Sequence, residues 1–173
     1  MDILIEFAKI VVPAILVLYA VYLTIKAMIS KEIKSKAIEY QIENNKTVMP
    51  IRLQAFERMS LYLERIYPGS LIVRLNQPGM NAKVFQNVLV NEIRNELNHN
   101  LSQQIYMSDE AWNMIKNSTE ELITLINSVA GNQKEDAKST DLAKDIVTAY
   151  VEKKNDPIAE TLSYIKNEIR ELF

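Results

Sequence analysis

The chain opens with a long apolar stretch and then changes to apolar and polar residues that alternate at helical spacing. No charged side chain occurs from Ile10 to Ile25, which corresponds to about 24 Å of α-helix, slightly less than a typical hydrocarbon core. Lys9 and Lys26 flank this stretch, and long lysine side chains can extend toward a bilayer interface and lengthen the usable span. The pattern predicts one transmembrane helix.

Three further residues fit a membrane span. Tyr19 and Tyr22 carry amphipathic rings of the kind that are enriched at bilayer interfaces. Pro13 lies in the first turns, where a missing hydrogen-bond donor and a mild kink are tolerated.

Two other interpretations of the stretch fit less well. A cleaved signal peptide needs a basic start and a cleavage site of small residues, whereas this chain starts with Asp2 and Glu6 and has Ala-Met-Ile-Ser at 27–30. A buried core helix is rarely apolar on every side in a chain of this size.

The basic residues beside the span predict its orientation. Only Lys9 precedes it, and four lysines lie at its end or follow it: Lys26, Lys31, Lys34 and Lys36. The positive-inside rule then places the N-terminus outside and residues 30–173 in the cytoplasm. These lysines either contact anionic headgroups or only set the topology, and we prefer the second interpretation.

The rest of the chain predicts helices. The first helix should continue through Glu39 to about Asn44, break at 44–47, and be followed by a new helix over Pro50–Ile66 that is buried on more than one side. After a turn, the short apolar run 71–75 is either helical or extended.

Longer helices follow. Asn81 opens one that should run to about Tyr106, and Ser108 is a good N-cap for the next, which should stop at Gly131. Residues 132–139 are a polar linker in which we expect no core residue.

Two helices complete the chain, the first over 140–154. Asp156 should cap the last one, with Pro157 in its first position. The apolar residues of the last helix step by four and three, at Ile158, Leu162, Ile165, Ile169 and Leu172. This spacing suits a coiled-coil seam, but two heptads are too short to identify one, and the helix either docks on its own domain or binds a partner.

The predicted fold class is therefore all-α, with one N-terminal transmembrane helix followed by a small cytoplasmic helical bundle. We divide the chain into an anchor and basic juxtamembrane segment (1–36), a helical domain (37–131), the polar linker (132–139) and a C-terminal helical pair (140–173).

Composition narrows the chemistry. The chain has no cysteine, one histidine and three glycines, which removes disulfides and thiolate sites and leaves few residues for phosphate-binding loops or metal sites. Residues 1–36 carry a charge of +2 and residues 37–173 carry −4. An acidic domain is a poor match for nucleic acid, whose binding depends on neutralising phosphates. We expect no nucleic-acid partner, no cofactor and no catalysis.

One pair resembles part of a metal site. Glu96 and His99 are three residues apart on a helix, as in di-iron bundles, but such bundles use the pair twice with two further glutamates. With one histidine, only a homodimer completes the site. We favour a polar or capping histidine.

Two groups of polar residues are candidate contacts. The stretch 87–104 is either a partner contact or a solvated helix face, of which we favour the second, and it is rich in amides: Asn87, Asn91, Asn95, Asn98, Asn100, Gln103 and Gln104. The candidate contact within it is an amide-rich surface, defined by Asn95, Asn98, His99 and Gln103. Four arginines form a sparse basic series, Arg52, Arg58, Arg65 and Arg74. Ion pairs with acidic neighbours such as Glu57 and Glu64 explain them better than phosphate or lipid-headgroup binding does. Trp112 starts an apolar stripe and should be a core residue.

The runs RLQAFER at 52–58 and HNLSQQIY at 99–106, followed by Trp112, resemble a family of small uncharacterised membrane proteins from Bacteroidota. The resemblance covers the chain to about Gly131 and is weak beyond it. It implies a helical domain behind an N-terminal span in a bacterial inner membrane, and supplies no catalytic residues.

We therefore expect a noncatalytic accessory or scaffold subunit of a larger inner-membrane complex. Its partners would be the lipid bilayer and one or more integral membrane proteins. The alternative is a self-assembling membrane adaptor that pairs through Ile158, Leu162, Ile165 and Ile169 of the last helix. A dimeric metalloenzyme or a lipid binder fits the sequence less well.

Overall fold

The computed structural model describes the backbone of residues 2–171, and it is built of helices. The first helix, α1, spans Asp2–Ile66. The others are α2 (Pro68–Leu75), α3 (Ala82–His99), a 3₁₀ helix (Leu101–Tyr106), α4 (Asp109–Gly131), α5 (Ser139–Val151) and α6 (Pro157–Arg170). No strand occurs within residues 2–171, and one isolated antiparallel bridge pairs Asn81 with Lys138. The predicted all-α class is confirmed.

The break predicted at 44–47 is wrong, because α1 continues through these residues and through Pro50. Asn, Lys and Thr cost only tenths of a kcal/mol in a helix relative to alanine and do not forbid it. The Thr47 hydroxyl donates to the carbonyl of Glu43 at 3.4 Å, so it bonds back within the helix instead of capping a new one.

The chain divides into two compact units, Met1–Met49 and Pro50–Phe173. Residues 2–49 of the first unit are helical, and most of the apolar side chains that the structure describes there are exposed, whereas Val11 and Met49 are half-buried. The second contains a buried core, and it includes all the helices from α2 to α6.

The short run at 71–75 is helical and belongs to α2, which begins at Pro68 and buries Leu71 and Ile72. Proline suits the first helical position, since the backbone donor it lacks has no partner there. A turn follows in which Gly79 has a φ of 84°, a left-handed conformation that favours glycine. Asn81 then caps α3 by accepting from the Val84 amide at 2.8 Å.

The long helix predicted from Asn81 to Tyr106 is in fact two elements. α3 ends at His99, and the Asn100 side chain donates to the Glu96 carbonyl at 2.8 Å. This bond satisfies a carbonyl of the last turn, so the chain can tighten into the 3₁₀ helix that follows.

Helix α4 contacts α3, α5 and α6 and forms the centre of the second unit. Its apolar stripe is buried, including Ile115, Leu122 and Ile126, and Trp112 is a core residue as predicted. The C-terminal part of α1 joins this core through Tyr62, whose hydroxyl lies 2.8 Å from that of Thr119. The buried polar groups of α4 are thus hydrogen-bonded, as a low-dielectric core requires.

The linker before α5 is tied to the turn before α3. The Ala82 amide donates to the Ala137 carbonyl at 2.9 Å, and the Ser139 amide donates to the Met80 carbonyl at 3.0 Å. Ser139 is buried and Ala137 packs against the core. The expectation that 132–139 holds no core residue was therefore wrong.

The caps predicted from the sequence are confirmed. Ser108 accepts from the Ala111 amide at 3.1 Å at the start of α4. Asp156 accepts from the amides of Ile158 and Ala159 at the start of α6, where Pro157 is the first helical residue.

The apolar seam of α6 faces the chain's own core. Ile158 and Ile165 are buried, and Leu162 and Ile169 are partly buried against the core cluster; Leu172 lies outside the described residues. Of the two interpretations of this helix, docking on its own domain is the correct one. These four residues were predicted as a partner contact, but they pack into or against the core of their own chain. The sequence pattern shows that a helix has an apolar face and does not show what covers that face.

Candidate functional site

The apolar helical segment over Val11–Tyr40 is long and apolar enough to cross a bilayer, with a mean hydropathy of 2.0 over its most apolar window. None of that window is buried, whereas the core helix of a soluble protein is mostly buried. Pro13 and Tyr19 are exposed. The Thr24 hydroxyl donates to the Ala20 carbonyl at 2.8 Å, so this polar group of the apolar segment has its hydrogen-bond partner inside the helix.

The basic residues near this segment differ in their partners. Lys9, Lys31 and Lys34 are exposed. Lys36 lies 3.8 Å from Glu32 one turn away, and the Lys26 ammonium lies 5.9 Å from the centre of the Tyr22 ring. The side chains are thus available to solvent or headgroups, apart from Lys36, whose charge is partly offset.

The amide-rich surface lies at the end of α3 and the start of the 3₁₀ helix. Asn95, Asn98 and His99 are exposed, Gln103 is half-buried, and the two apolar side chains Leu101 and Ile105 are exposed beside them. Ile105 is 72% exposed. The surface therefore combines amide groups with uncovered apolar area, which the sequence pattern alone did not reveal.

The Glu96 carboxylate has a partner other than a metal. It lies 2.6 Å from the guanidinium of Arg65, whereas His99 is exposed at the end of α3. Within the described residues, no group of three or more His, Asp and Glu side chains is arranged to hold a metal ion.

Three of the four arginines, Arg52, Arg65 and Arg74, form ion pairs with acids on other helices and not with their neighbours in sequence, and Arg58 is exposed. Arg65 pairs with Glu96 on α3, and Arg74 of α2 pairs with Glu92 of α3. The expected partners Glu57 and Glu64 are exposed. The ion pairs of Arg65 and Arg74 link α1 and α2 to α3. Partly exposed ion pairs stabilise a protein by no more than about 1 kcal/mol each.

A polar cluster joins three elements where the second unit begins. The Glu168 carboxylate of α6 accepts from the Ser108 amide at 2.9 Å and from its hydroxyl at 2.7 Å. Arg52 of α1 approaches Glu168 at 4.0 Å and donates to the Tyr106 carbonyl at 3.0 Å. The sequence identified Ser108 as a cap, but nothing local signals a carboxylate sixty positions later.

Two buried tyrosines complete the polar contacts. Burial raises the pKa of Tyr62 far above its ordinary value, although the Thr119 hydroxyl partly offsets this. Burial and the hydrogen bond to Asp156 raise the pKa of Tyr150 in the same direction. Both phenols therefore stay neutral at physiological pH and act as structural hydrogen-bonding groups.

A cleft of about 610 Å³ lies between the turn before α3 and the linker before α5. Asn76 lines it, and its Oδ1 atom is buried without a hydrogen-bond partner among the described residues. Lys138 and Thr140 also line it.

The chain belongs to DUF7935, a family of unknown function, which matches residues 2–172. The match includes α5 and α6, which the sequence resemblance was expected to leave out. No curated protein and no solved structure matches the chain.

Proposed function

We propose that this member of DUF7935 is a noncatalytic accessory or scaffold subunit of a larger protein complex in a bacterial inner membrane. The proposal rests on a contrast in burial between two parts of the chain. The helix over Val11–Tyr40 has no part of its most apolar window buried, while the second unit has a buried core of its own.

The apolar helix supports anchoring because exposed apolar side chains are unfavourable in water, by about 25 cal/mol per Å². In a bilayer the same surface is solvated by lipid, and the helix satisfies its own backbone hydrogen bonds. Anchoring therefore explains a surface that water would disfavour.

The lysines after the apolar stretch support an N-terminus outside and a cytoplasmic second unit. The chain has no cysteine, so a single cysteine introduced at exposed Glu135 is the only thiol. We expect a membrane-impermeant maleimide to label it only after the cells are permeabilised. Labelling in intact cells would reverse the orientation.

The amide-rich surface supports a protein partner. Surface amides offer donors and acceptors without charge, and exposed apolar side chains such as Leu101 and Ile105 gain most when a partner covers them. The polar residues of the core and of the Glu168 cluster are engaged within the chain, which favours a structural role over a catalytic one.

A photo-crosslinking residue in place of Asn98 tests the partner surface in native membranes. The matched control carries the same residue in place of Asn113, which is also an exposed asparagine but lies on α4. After purification in mild detergent, we expect an adduct with an integral membrane protein from position 98 and not from 113.

A monodisperse monomer without a co-purifying membrane protein would refute the scaffold proposal. An adduct between two copies of the chain would favour the self-assembling adaptor, now through α3 and not through α6, whose seam is in the core.

A further inference from the structure

A shallow groove of about 470 Å³ runs along one side of α1 within the first unit. Its walls include the polar side chains of Lys26, Ser30 and Lys34 and the apolar side chains of Tyr22, Ile25 and Ile29. We propose that this groove binds one anionic phospholipid, with the phosphate between Lys26 and Lys34 and the acyl chains along the apolar residues. The inference rests on the proposed membrane span.

Helical spacing brings the polar groups together. Lys26, Ser30 and Lys34 are each four residues apart, so they follow one another along one side of the helix over about 12 Å. The two ammonium groups and the hydroxyl supply hydrogen-bond donors to a phosphate held between them.

The order of the residues matches the shape of a lipid in the cytoplasmic leaflet. Tyr22 and Ile25 lie toward the middle of the apolar segment, and Lys34 lies toward the cytoplasmic end under the proposed orientation. Side chains of a helix point toward its N-terminus, so the lysines lean toward the bilayer. The Lys26 ammonium lies over the Tyr22 ring at 5.9 Å, so it must swing away from this ring to reach a phosphate beside Ser30.

Charge complementarity selects an anionic headgroup. No acidic residue lines the groove. The nearby acid Glu32 lies 3.8 Å from Lys36 and so offsets a lysine outside the groove. A zwitterionic headgroup carries an ammonium that repels Lys26 and Lys34, whereas a net negative headgroup does not.

The lining of the groove separates this site from a general attraction of lysines to the membrane. Lys31 and Lys36 do not line it, although at about 100° per residue Lys31 lies about 60° around the helix from Lys34 and about 140° from Lys26. A diffuse surface potential would use all lysines alike, at a gain of about fivefold in binding for each. A site uses Lys26 and Lys34 and does not depend on Lys31 and Lys36.

Electron paramagnetic resonance of the full chain in phosphatidylcholine vesicles tests the site, with spin-labelled phosphatidylglycerol and spin-labelled phosphatidylcholine as probes. We expect the wild type to restrict the phosphatidylglycerol probe with an association about fivefold or more above that of phosphatidylcholine. The variant K26Q/K34Q should fall below about twofold. The matched control K31Q/K36Q removes the same charge and should keep the preference.

An equal loss in both double variants, or no preference in the wild type, would overturn the site. Loss of the preference in excess inorganic phosphate, but not in sodium chloride of the same ionic strength, would also overturn it, since the groove would then bind a phosphate without its lipid. Alkaline carbonate extraction distinguishes a chain that lacks the lipid site from a chain that does not span the membrane. Chain retained in the membrane without a lipid preference refutes the inference alone, and chain released into solution refutes both proposals.

Discussion

The isoleucines and leucines of the apolar segment and those of the core lie in opposite environments. In the first unit Ile15, Leu16 and Leu18 are more than half exposed, whereas in the second Ile115 and Leu122 are almost wholly buried. The residues are chemically alike, so the difference lies in what surrounds them. A helix that is apolar on every side needs an apolar solvent, whereas a helix with one apolar face needs only neighbouring helices.

Hydroxyl groups show the same contrast. Thr24 in the first unit bonds to the Ala20 carbonyl of its own helix. Thr119 in the second bonds to the Ile115 carbonyl of its own helix and also contacts Tyr62 of another. The second unit therefore has specific contacts between helices, which a single substitution can remove. For the first unit we expect the overall apolar composition of the helix to matter more than any one contact.

The largest effect is expected from the core of the second unit. Phe85 is fully buried, so Phe85→Ala should lower the free energy of unfolding by about 3–5 kcal/mol through lost burial and a cavity. Trp112 is the only tryptophan of the chain and is buried in this unit. Its fluorescence during urea unfolding in mild detergent measures the change.

The control is its neighbour Val84, which is exposed, and Val84→Ala should change stability by less than about 0.5 kcal/mol. Equal effects at 84 and 85 would contradict the assignment of the buried face of α3.

A charge in the first unit should have the next largest effect. Val17→Arg places a guanidinium in the apolar segment, at a cost of about 3 kcal/mol near the centre of a span. We expect more of this variant than of the wild type in the soluble fraction after carbonate extraction. Val73→Arg is the control, since Val73 is 83% exposed in the second unit. Equal retention of both variants would argue against a span.

The polar cluster should contribute less. Glu168→Gln keeps an acceptor for Ser108 but removes the charge that strengthens both hydrogen bonds, and we expect a loss of about 1–2 kcal/mol in urea unfolding. Glu160→Gln is the control on the exposed side of α6. A loss at position 160 as large as that at 168 would show that general charge, not the cluster, matters.

The smallest effect concerns the Tyr62 hydroxyl. Tyr62→Phe leaves the ring and removes the contact with Thr119, which should cost about 1 kcal/mol at neutral pH. Because the pKa of Tyr62 is raised in the folded state, its contribution is complete below its ordinary pKa of 10.0 and is lost as the pH rises above that value. Urea unfolding of wild type and variant between neutral pH and pH 11 measures both effects. A loss of stability above pH 10.0 that is just as steep in the variant would assign it to other groups.

Local signals in the sequence predicted local structure well. Ser108, Asp156 and Pro157 were recognised because a cap depends on the two or three residues beside it. The break at 44–47 failed for a related reason, since those residues weaken a helix without ending it.

Contacts between distant residues could not be predicted in this way. The step of four and three along α6 predicted an apolar face, yet whether it meets α4 or another chain depends on how the chain turns at 152–156. The arginines were matched to acids beside them, whereas Arg65 and Arg74 bond to acids on α3. Helical periodicity specifies which side of a helix a residue occupies, and tertiary packing decides what it meets.

The bridge between Asn81 and Lys138 has a consequence for inserting reporters into the chain. Insertions are tolerated where the backbone is exposed and makes few hydrogen bonds. The Ala137 carbonyl and the Ser139 amide are both bonded to the turn before α3, so an epitope or fluorescent protein placed between them would separate two paired segments. Placed at exposed Asn132, a few residues earlier, the same reporter would leave that pairing intact.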